Sequence, residues 1–202
     1  MSDQTRNICL PTKGLILIIG PMFCGKSTLL LRHLVQAEKI ELRTLTLKPK
    51  TDTSVRGTHI STHDGQSRTC HLISDDVISL EGLIFHENPQ AIFVDEVQFL
   101  SPKIMAKISE ISLTRLVVMA GLAEDFRGKD FGALPEIIRG GKPLKILHLT
   151  AACARCGSPA LHTQRLTQGK NQISPGGAEQ YEPRCDECWS PQPPEGSVSW
   201  NV

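Results

Sequence analysis

Gly14-Leu15-Ile16-Leu17-Ile18-Ile19-Gly20-Pro21-Met22-Phe23-Cys24-Gly25-Lys26-Ser27-Thr28 is the stretch on which the rest of the chain turns. Its first six residues are a short apolar run ending at a glycine, the pattern of a parallel strand buried on both faces. After Thr28 the apolar residues Leu29, Leu30, Leu31, Leu34 and Val35 recur at helical spacing as far as Lys39. Between strand and helix stands GxxxxGKS. In that setting the glycines turn backbone N–H groups inward onto a β-phosphate, and the helix N-terminus adds positive potential. Lys26 then bridges the β- and γ-phosphates and Ser27 ligates Mg²⁺. The plain alternative, a chance glycine match in a structural turn, does not account for the strand before and the helix after.

Working outward, residues 43–47 alternate Thr and Leu and stop at Lys48-Pro49, a second strand with a proline stop. Residues 50–70 are polar, with Gly57 and Gly65, and read as a long mobile loop. A weak helix over 75–86 stops at Asn88-Pro89, and Ala91-Ile92-Phe93-Val94 is another buried strand. Ser101-Pro102 has the chemistry of an N-cap and a first-turn proline, opening a helix to about Ser112. Residues 116–120 form a strand broken at Gly121. A loop with Asp125, Phe126, Arg127, Lys129 and Phe131 follows, then a short helix over 134–139, a Gly140-Gly141 hinge and a last strand over 145–150. Alternating strands and helices predict an α/β fold over residues 1–150: a P-loop parallel sheet with helices on both faces, with ligands at the strands' carboxyl ends.

Asp95 follows the buried run Ile92-Phe93-Val94, where a P-loop protein places the acid that holds Mg²⁺. On an extended backbone the adjacent Glu96 points the other way and can accept a proton from an attacking hydroxyl. A merely charged strand end is the alternative.

From residue 151 the texture changes to Cys, Gly, Pro and Gln. Cys153-Ala-Arg-Cys156 and Cys185-Asp-Glu-Cys188 each put two sulfurs on a tight knuckle. Four thiolates fill a tetrahedral zinc site and leave no open position, so the metal is structural. A redox pair or unconnected thiols are the rival readings. Residues 151–189 thus form a small lobe stapled by metal rather than by a core, and 190–202 a disordered tail rich in Pro, Ser and Gly. Between the knuckles lie Thr163-Gln164-Arg165, Ser174-Pro175-Gly176-Gly177 and the chain's one tyrosine, Tyr181. A Gly-Gly turn followed by an aromatic covers a small ligand, or is a hairpin turn with a packed Tyr; both readings stand.

Composition bounds these readings. Lys+Arg total 22 against 21 Asp+Glu, so bulk charge offers nothing to nucleic acid or to a membrane surface. No apolar run is long enough to span a bilayer, and the polar N-terminus lacks the apolar core of a secretory signal. Seven cysteines, four of them in metal-like pairs and Cys9, Cys24 and Cys70 scattered, fit a reduced cytoplasm. Cys24 sits in the phosphate loop near a helix N-terminus that can lower a thiol's pKa, so it is either a reactive thiol or an inert filler.

Taken in order, Gly-Pro-Met-Phe-Cys-Gly-Lys-Ser-Thr (20–28), Val-Asp-Glu-Val-Gln-Phe (94–99), Asp-Phe-Arg-Gly-Lys-Asp-Phe-Gly (125–132), Cys-Ala-Arg-Cys, Thr-Gln-Arg, Gly-Gly-Ala-Glu-Gln-Tyr (176–181) and Cys-Asp-Glu-Cys resemble the cytosolic (type II) thymidine kinases. The resemblance runs from about Lys13 to Cys188. It implies transfer of the γ-phosphate of ATP to the 5′-hydroxyl of thymidine or deoxyuridine, with Mg²⁺, in nucleotide salvage. A lasso loop on the zinc-ribbon lobe would close over the nucleoside. By position, Glu96 resembles the general base. Residues 20–28, Asp52, Asp95 and Gln98 resemble the nucleotide and metal contacts. Met22, Phe99, Leu122, Phe126 and Phe131 resemble the base pocket, and Thr163, Gln172, Ile173, Ser174, Pro175, Gly176 and Tyr181 the lasso contacts. The family also implies a homotetramer, feedback inhibition by the end-product triphosphate, and no nucleic-acid or membrane partner.

Three places depart from the family pattern. Its Asp-x-Arg is Asp52-Thr53-Ser54 here, with Arg56 two places late; its Gly after the acidic pair is Val97; and its apolar lasso positions are Gln172 and Ser174, with Pro175 before the glycines. These bear on nucleoside preference, so a kinase relative with altered preference is one alternative. A P-loop ATPase carrying a nucleic-acid-binding zinc ribbon is the other.

Overall fold

The computed structural model describes residues 9–50, 58–62, 65–167, 172 and 176–191. Along the chain run β1 (Gly14–Ile19), α1 (Lys26–Lys39), β2 (Thr44–Pro49), β3 (His59–Ser61), β4 (Ser67–Thr69), β5 (His71–Ile73), α2 (Val77–Glu87) and β6 (Ala91–Val94). A 3₁₀ turn (Val97–Phe99) leads to α3 (Pro102–Ile111), β7 (Leu116–Gly121), α4 (Leu134–Gly140) and β8 (Lys145–His148). Four short strands close the series: β9 (Ala151–Ala152), β10 (Pro159–Ala160), β11 (His162–Arg165) and β12 (Tyr181–Arg184).

Six strands form one parallel sheet in the order β5-β2-β6-β7-β1-β8. The central strands are apolar at nearly every position because both faces are covered. On one face Leu15, Leu17, Leu45, Ile92, Val117 and Met119 meet the inner sides of α2, α3 and α4. On the other, Ile16, Ile18, Phe93 and Val118 pack on Leu30, Leu31 and Leu34 of α1. The one-residue alternation along each strand delivers these two cores from one continuous apolar run. Phe93 is fully enclosed; cutting such a side chain back to Ala costs about 3–5 kcal/mol.

Two local readings change. Residues 50–70 are not all loop: β3 and β4 pair antiparallel as a hairpin, with Ile60 and Cys70 buried against the α1 face; directly after them β5 extends the main sheet beside β2. Such short polar strands carry too little periodicity to stand out in sequence. Ser101 opens α3 without a side-chain cap; its hydroxyl instead donates to Asp75. Asp76 does cap α2, accepting from the Ile78 amide at 3.0 Å.

Beyond β8, the pairs β9/β10 and β11/β12 are antiparallel two-stranded ribbons. Among the described residues no helix is long and apolar enough to cross a membrane.

Candidate active site

The carboxyl ends of β1, β6 and β7 lie side by side, and each releases a loop into the same place. After β1, Gly20 lacks a side chain for a reason: a methyl there would stand 2.4 Å from the Leu149 carbonyl oxygen and 2.8 Å from Cys24 Sγ. The loop then turns through Phe23 at φ 65° and Gly25 at φ 86° into α1. No side chain caps α1 and no acid stands in its first turn, which leaves the positive end of its dipole for an anion. Lys26 is 9% exposed, and its Nζ donates to the Pro21 carbonyl at 2.6 Å, with Cys24 Sγ 3.8 Å away. Burial pushes the Cys24 thiol above its ordinary value, outweighing the Lys26 charge and nearby amides, the opposite direction from an activated thiol.

Asp95 ends β6 and is 5% exposed. The Ser27 hydroxyl stands close enough to its carboxyl group to favour the charged form, which sets this acid against the phosphate loop. Burial first, and the Glu96 charge second, raise Asp95 to about 7 against the pull of Ser27. The Ser27 hydroxyl and the Asp95 carboxyl are hard oxygen donors, the kind that suits a divalent cation.

Glu96 is not extended. It adopts φ 53°, ψ 39° in the left-handed region, because the chain turns at once into the 3₁₀ helix, with Phe99 N–H donating to Glu96 O at 3.1 Å. Its carboxylate accepts from Gln98 Nε2 at 2.6 Å. Val97 is fully buried, and Gly121 makes room for it: a methyl on Gly121 would lie 2.8 Å from Val97 Cγ2. The bulk that departs from the family pattern is absorbed by β7.

The loop after β7 is organised by Asp125. Its carboxylate accepts from the backbone amides of Arg127 and Lys129 at 2.8 and 3.1 Å and from the Arg127 guanidinium at 2.9 Å. Burial works against its charge, but these donors hold it below the ordinary carboxylate value. Phe131 meets Phe99 edge to face at 5.7 Å. Phe126 lies between two guanidinium groups, Arg127 at 5.2 Å and Arg165 at 5.1 Å from its centroid. Leu122 is half-buried and its amide donates to Gln98 Oε1 at 3.0 Å.

The C-terminal ribbons bring their residues onto the same loops. Thr163 Oγ1 accepts from the Met22 amide at 3.0 Å. Gln172 Nε2 donates to Asp125 Oδ2 at 3.0 Å and to the Asp130 carbonyl at 3.2 Å. Tyr181 is buried in β12, in register with Arg165. Asp52, Arg56, Ile173, Ser174 and Pro175 lie outside the described residues, and Gly176 borders them.

Cys153, Cys156, Cys185 and Cys188 bring their sulfurs within 4.8 Å of one another, with Cys156 and Cys185 3.5 Å apart. Tetrahedral zinc with bonds of about 2.3 Å needs sulfurs about 3.8 Å apart, so the residues present fit that metal. Against burial, backbone amides lower Cys153 to about 6, while Cys188 is pushed up to about 12 by its sulfur neighbours.

Sequence reasoning gave no individual site role to three residues here. Arg165 is buried against Phe126. Trp189 stacks on His162 at 4.1 Å and packs on Gly128, tying the thiol ribbon to the loop after β7. Lys48 is buried at the end of β2, level with Asp95 across the β2–β6 pairing. An indole beside Cys188 was the one available signal; the other two read as ordinary charged residues.

A parallel sheet whose glycine loop, acid pair and loop after β7 converge at one edge, under a four-thiol ribbon, defines a P-loop nucleotide-binding protein of the kinase class. The thymidine kinase profile matches residues 13–189. Similar curated proteins include the thymidine kinase of Mycoplasmoides gallisepticum, 34% identical over 89% of this chain and 83% of that one. The thymidine kinase of Rhodothermus sp. is 32% identical over 90% and 84%. That of Pyrobaculum aerophilum is 31% identical over 85% and 95%. The chain belongs to the thymidine kinase family. Among solved structures, the replication initiator DnaA bound to AMPPCP and single-stranded DNA overlaps only in part, with a TM-score of 0.40 and 15% identity over 68% of this chain and 40% of that one.

Proposed function

We propose that this protein transfers the γ-phosphoryl group of ATP to the 5′-hydroxyl of thymidine or deoxyuridine. The observation that carries the reading is the placing of the buried Asp95 carboxyl beside Ser27 of the phosphate loop. It seats the acid pair on the glycine cradle, so a bound triphosphate and an alcohol at Glu96 share one small volume. Phosphoryl transfer needs little covalent help, so positioning and charge neutralisation suffice.

In this reading the amides of residues 20–28 cradle the phosphates, and Lys26 leaves the Pro21 carbonyl to reach them. Ser27 and Asp95 hold Mg²⁺, which supplies charge neutralisation at the transferring group. Glu96 takes the hydroxyl proton. Met22, Phe99, Leu122 and Phe131 face the flat pyrimidine, whose polar edge suits backbone donors and acceptors. Phe126, held by two arginines, buttresses that wall. Thr163, Gln172 to Gly176 and Tyr181 form the cover, and zinc on the four thiolates fixes its base. Residues 1–150 act as the nucleotide-binding domain and 151–189 as the lasso domain, in a cytosolic homotetramer.

The test is purified protein with Mg-ATP and a panel of deoxynucleosides, read by chromatography. Thymidine and deoxyuridine monophosphates are the expected products. ADP formation without any nucleoside monophosphate would overturn the reading. Glu96→Gln should keep ATP affinity and lose about 10²- to 10⁴-fold in turnover.

A further inference from the structure

We infer that Gln98 is a positioning residue which aims the Glu96 carboxylate and couples it to the backbone of the nucleoside pocket. This rests on the proposed role of Glu96 and adds a function that a nucleotide contact would not have.

The orientation of the amide is decided by its neighbours. The Leu122 N–H can only donate, so the atom 3.0 Å from it is the acceptor Oε1. The other end is then Nε2, a donor, and it lies 2.6 Å from Glu96 Oε2. Both ends of the amide are therefore committed, one to the loop after β7 and one to the acid.

Its surroundings hold it there. Gln98 is 4% exposed. A methyl on Gly121 would sit 2.6 Å from Gln98 Oε1, and one on Gly132 would sit 2.3 Å from the Gln98 carbonyl oxygen. Two close backbone approaches thus enclose the same residue. Its backbone is set by the 3₁₀ turn, in which Leu100 N–H donates to the Val97 carbonyl at 3.0 Å.

Glu96 needs such a hold. It occupies a left-handed backbone conformation that side-chain-bearing residues seldom adopt, and its carboxylate is only half-buried. With Oε2 tied to Gln98, Oε1 is the oxygen left for a substrate hydroxyl, and no other side chain among the described residues bonds it. The same amide reaches Leu122, whose side chain borders the pyrimidine. A nucleoside that seats against Leu122 thereby finds the base already aimed. Displacing a catalytic group by about 1 Å costs about 10²-fold in rate.

Gln98→Glu separates the two ends. It keeps an acceptor for the Leu122 amide and sets a carboxylate against Glu96 in place of a donor. Gln98→Leu removes both bonds at similar size. For each variant we would measure kcat, the KM of ATP and of thymidine, and the Kd of a non-hydrolysable ATP analogue, which also reports folding. The expected result is kcat lower by about 10- to 100-fold in both, with ATP KM and analogue Kd within about twofold of the parent protein. The discriminating readout is a double-mutant cycle. In a Glu96→Gln background, Gln98→Glu should change the residual turnover by less than about threefold, because a base that is gone no longer needs aiming.

Unchanged kcat in a Gln98→Glu protein that binds the analogue normally would overturn the inference. So would a loss confined to ATP KM, or losses that multiply in the cycle. A parent protein that yields no monophosphate, or full turnover in Glu96→Gln, instead refutes the reading on which the inference stands.

Discussion

The Met22 backbone amide in the phosphate loop donates to the Thr163 hydroxyl at 3.0 Å, across 141 residues of chain. Nucleotide cradle and thiol-stapled ribbon therefore share a hydrogen bond, and Thr163 is buried where they meet. Neither β1 nor β11 carries this contact alone.

Thr163→Val keeps the shape and removes the acceptor, leaving an amide partly buried without its partner. We expect a loss of about 1–3 kcal/mol, seen as a melting midpoint lower by about 2–12 °C for a chain of this size. Differential scanning calorimetry of ligand-free protein checks it. A midpoint equal to that of the parent would show that the contact does not join the two parts.

Four sulfurs within 4.8 Å of one another call for a cation. One zinc per chain is expected by elemental analysis. Cys185→Ser should release it and unfold the β9–β12 ribbons while the parallel sheet survives, because ligand binding and folding are one event in such a lobe. Circular dichroism and limited proteolysis would read the split. Full retention of metal by Cys185→Ser would remove that residue from the cluster.

Asp125 makes the loop after β7 sensitive to acid. Its folded pKa is depressed, so its stabilising contribution is complete above the unfolded value near 3.8 and fades as pH falls through the folded one. The parent protein should therefore lose stability more steeply below about pH 4 than Asp125→Asn, which is already weakened at pH 7. Thermal midpoints between pH 7 and pH 3 decide this. Parallel curves would show that Asp125 contributes no proton linkage.

Burial raises the pKa of the Cys24 thiol, while Cys9 stands exposed. Iodoacetamide at neutral pH should modify Cys9 first and Cys24 more slowly than a free thiol, by mass mapping of tryptic peptides. Faster labelling at Cys24 would restore the activated-thiol reading.

Much of the fold could be read along the chain because its signals are local and repeated. Each central strand is an apolar run too short for a helix, and glycine, proline or an acid pair punctuates its end, as at Gly20, Asp95 and Gly121. The thiol cluster was legible for the same reason: CxxC spacing nearly forces two sulfurs together. The hairpin β3/β4 was missed because three-residue polar strands have no period to detect. Glu96 was misjudged as extended because its left-handed turn depends on the 3₁₀ helix that follows.

The order of motifs, the glycine loop, the acid pair and the four-thiol cluster follow from amino-acid type and spacing alone. These traits are set by covalent neighbours within a turn or two. Tertiary structure alone decided which polar groups face each other. It put Thr163 on Met22, Gln172 on Asp125, and one buried glutamine between Glu96 and the Leu122 amide. A buried donor must find its acceptor wherever packing brings one, and sequence distance places no limit on that choice.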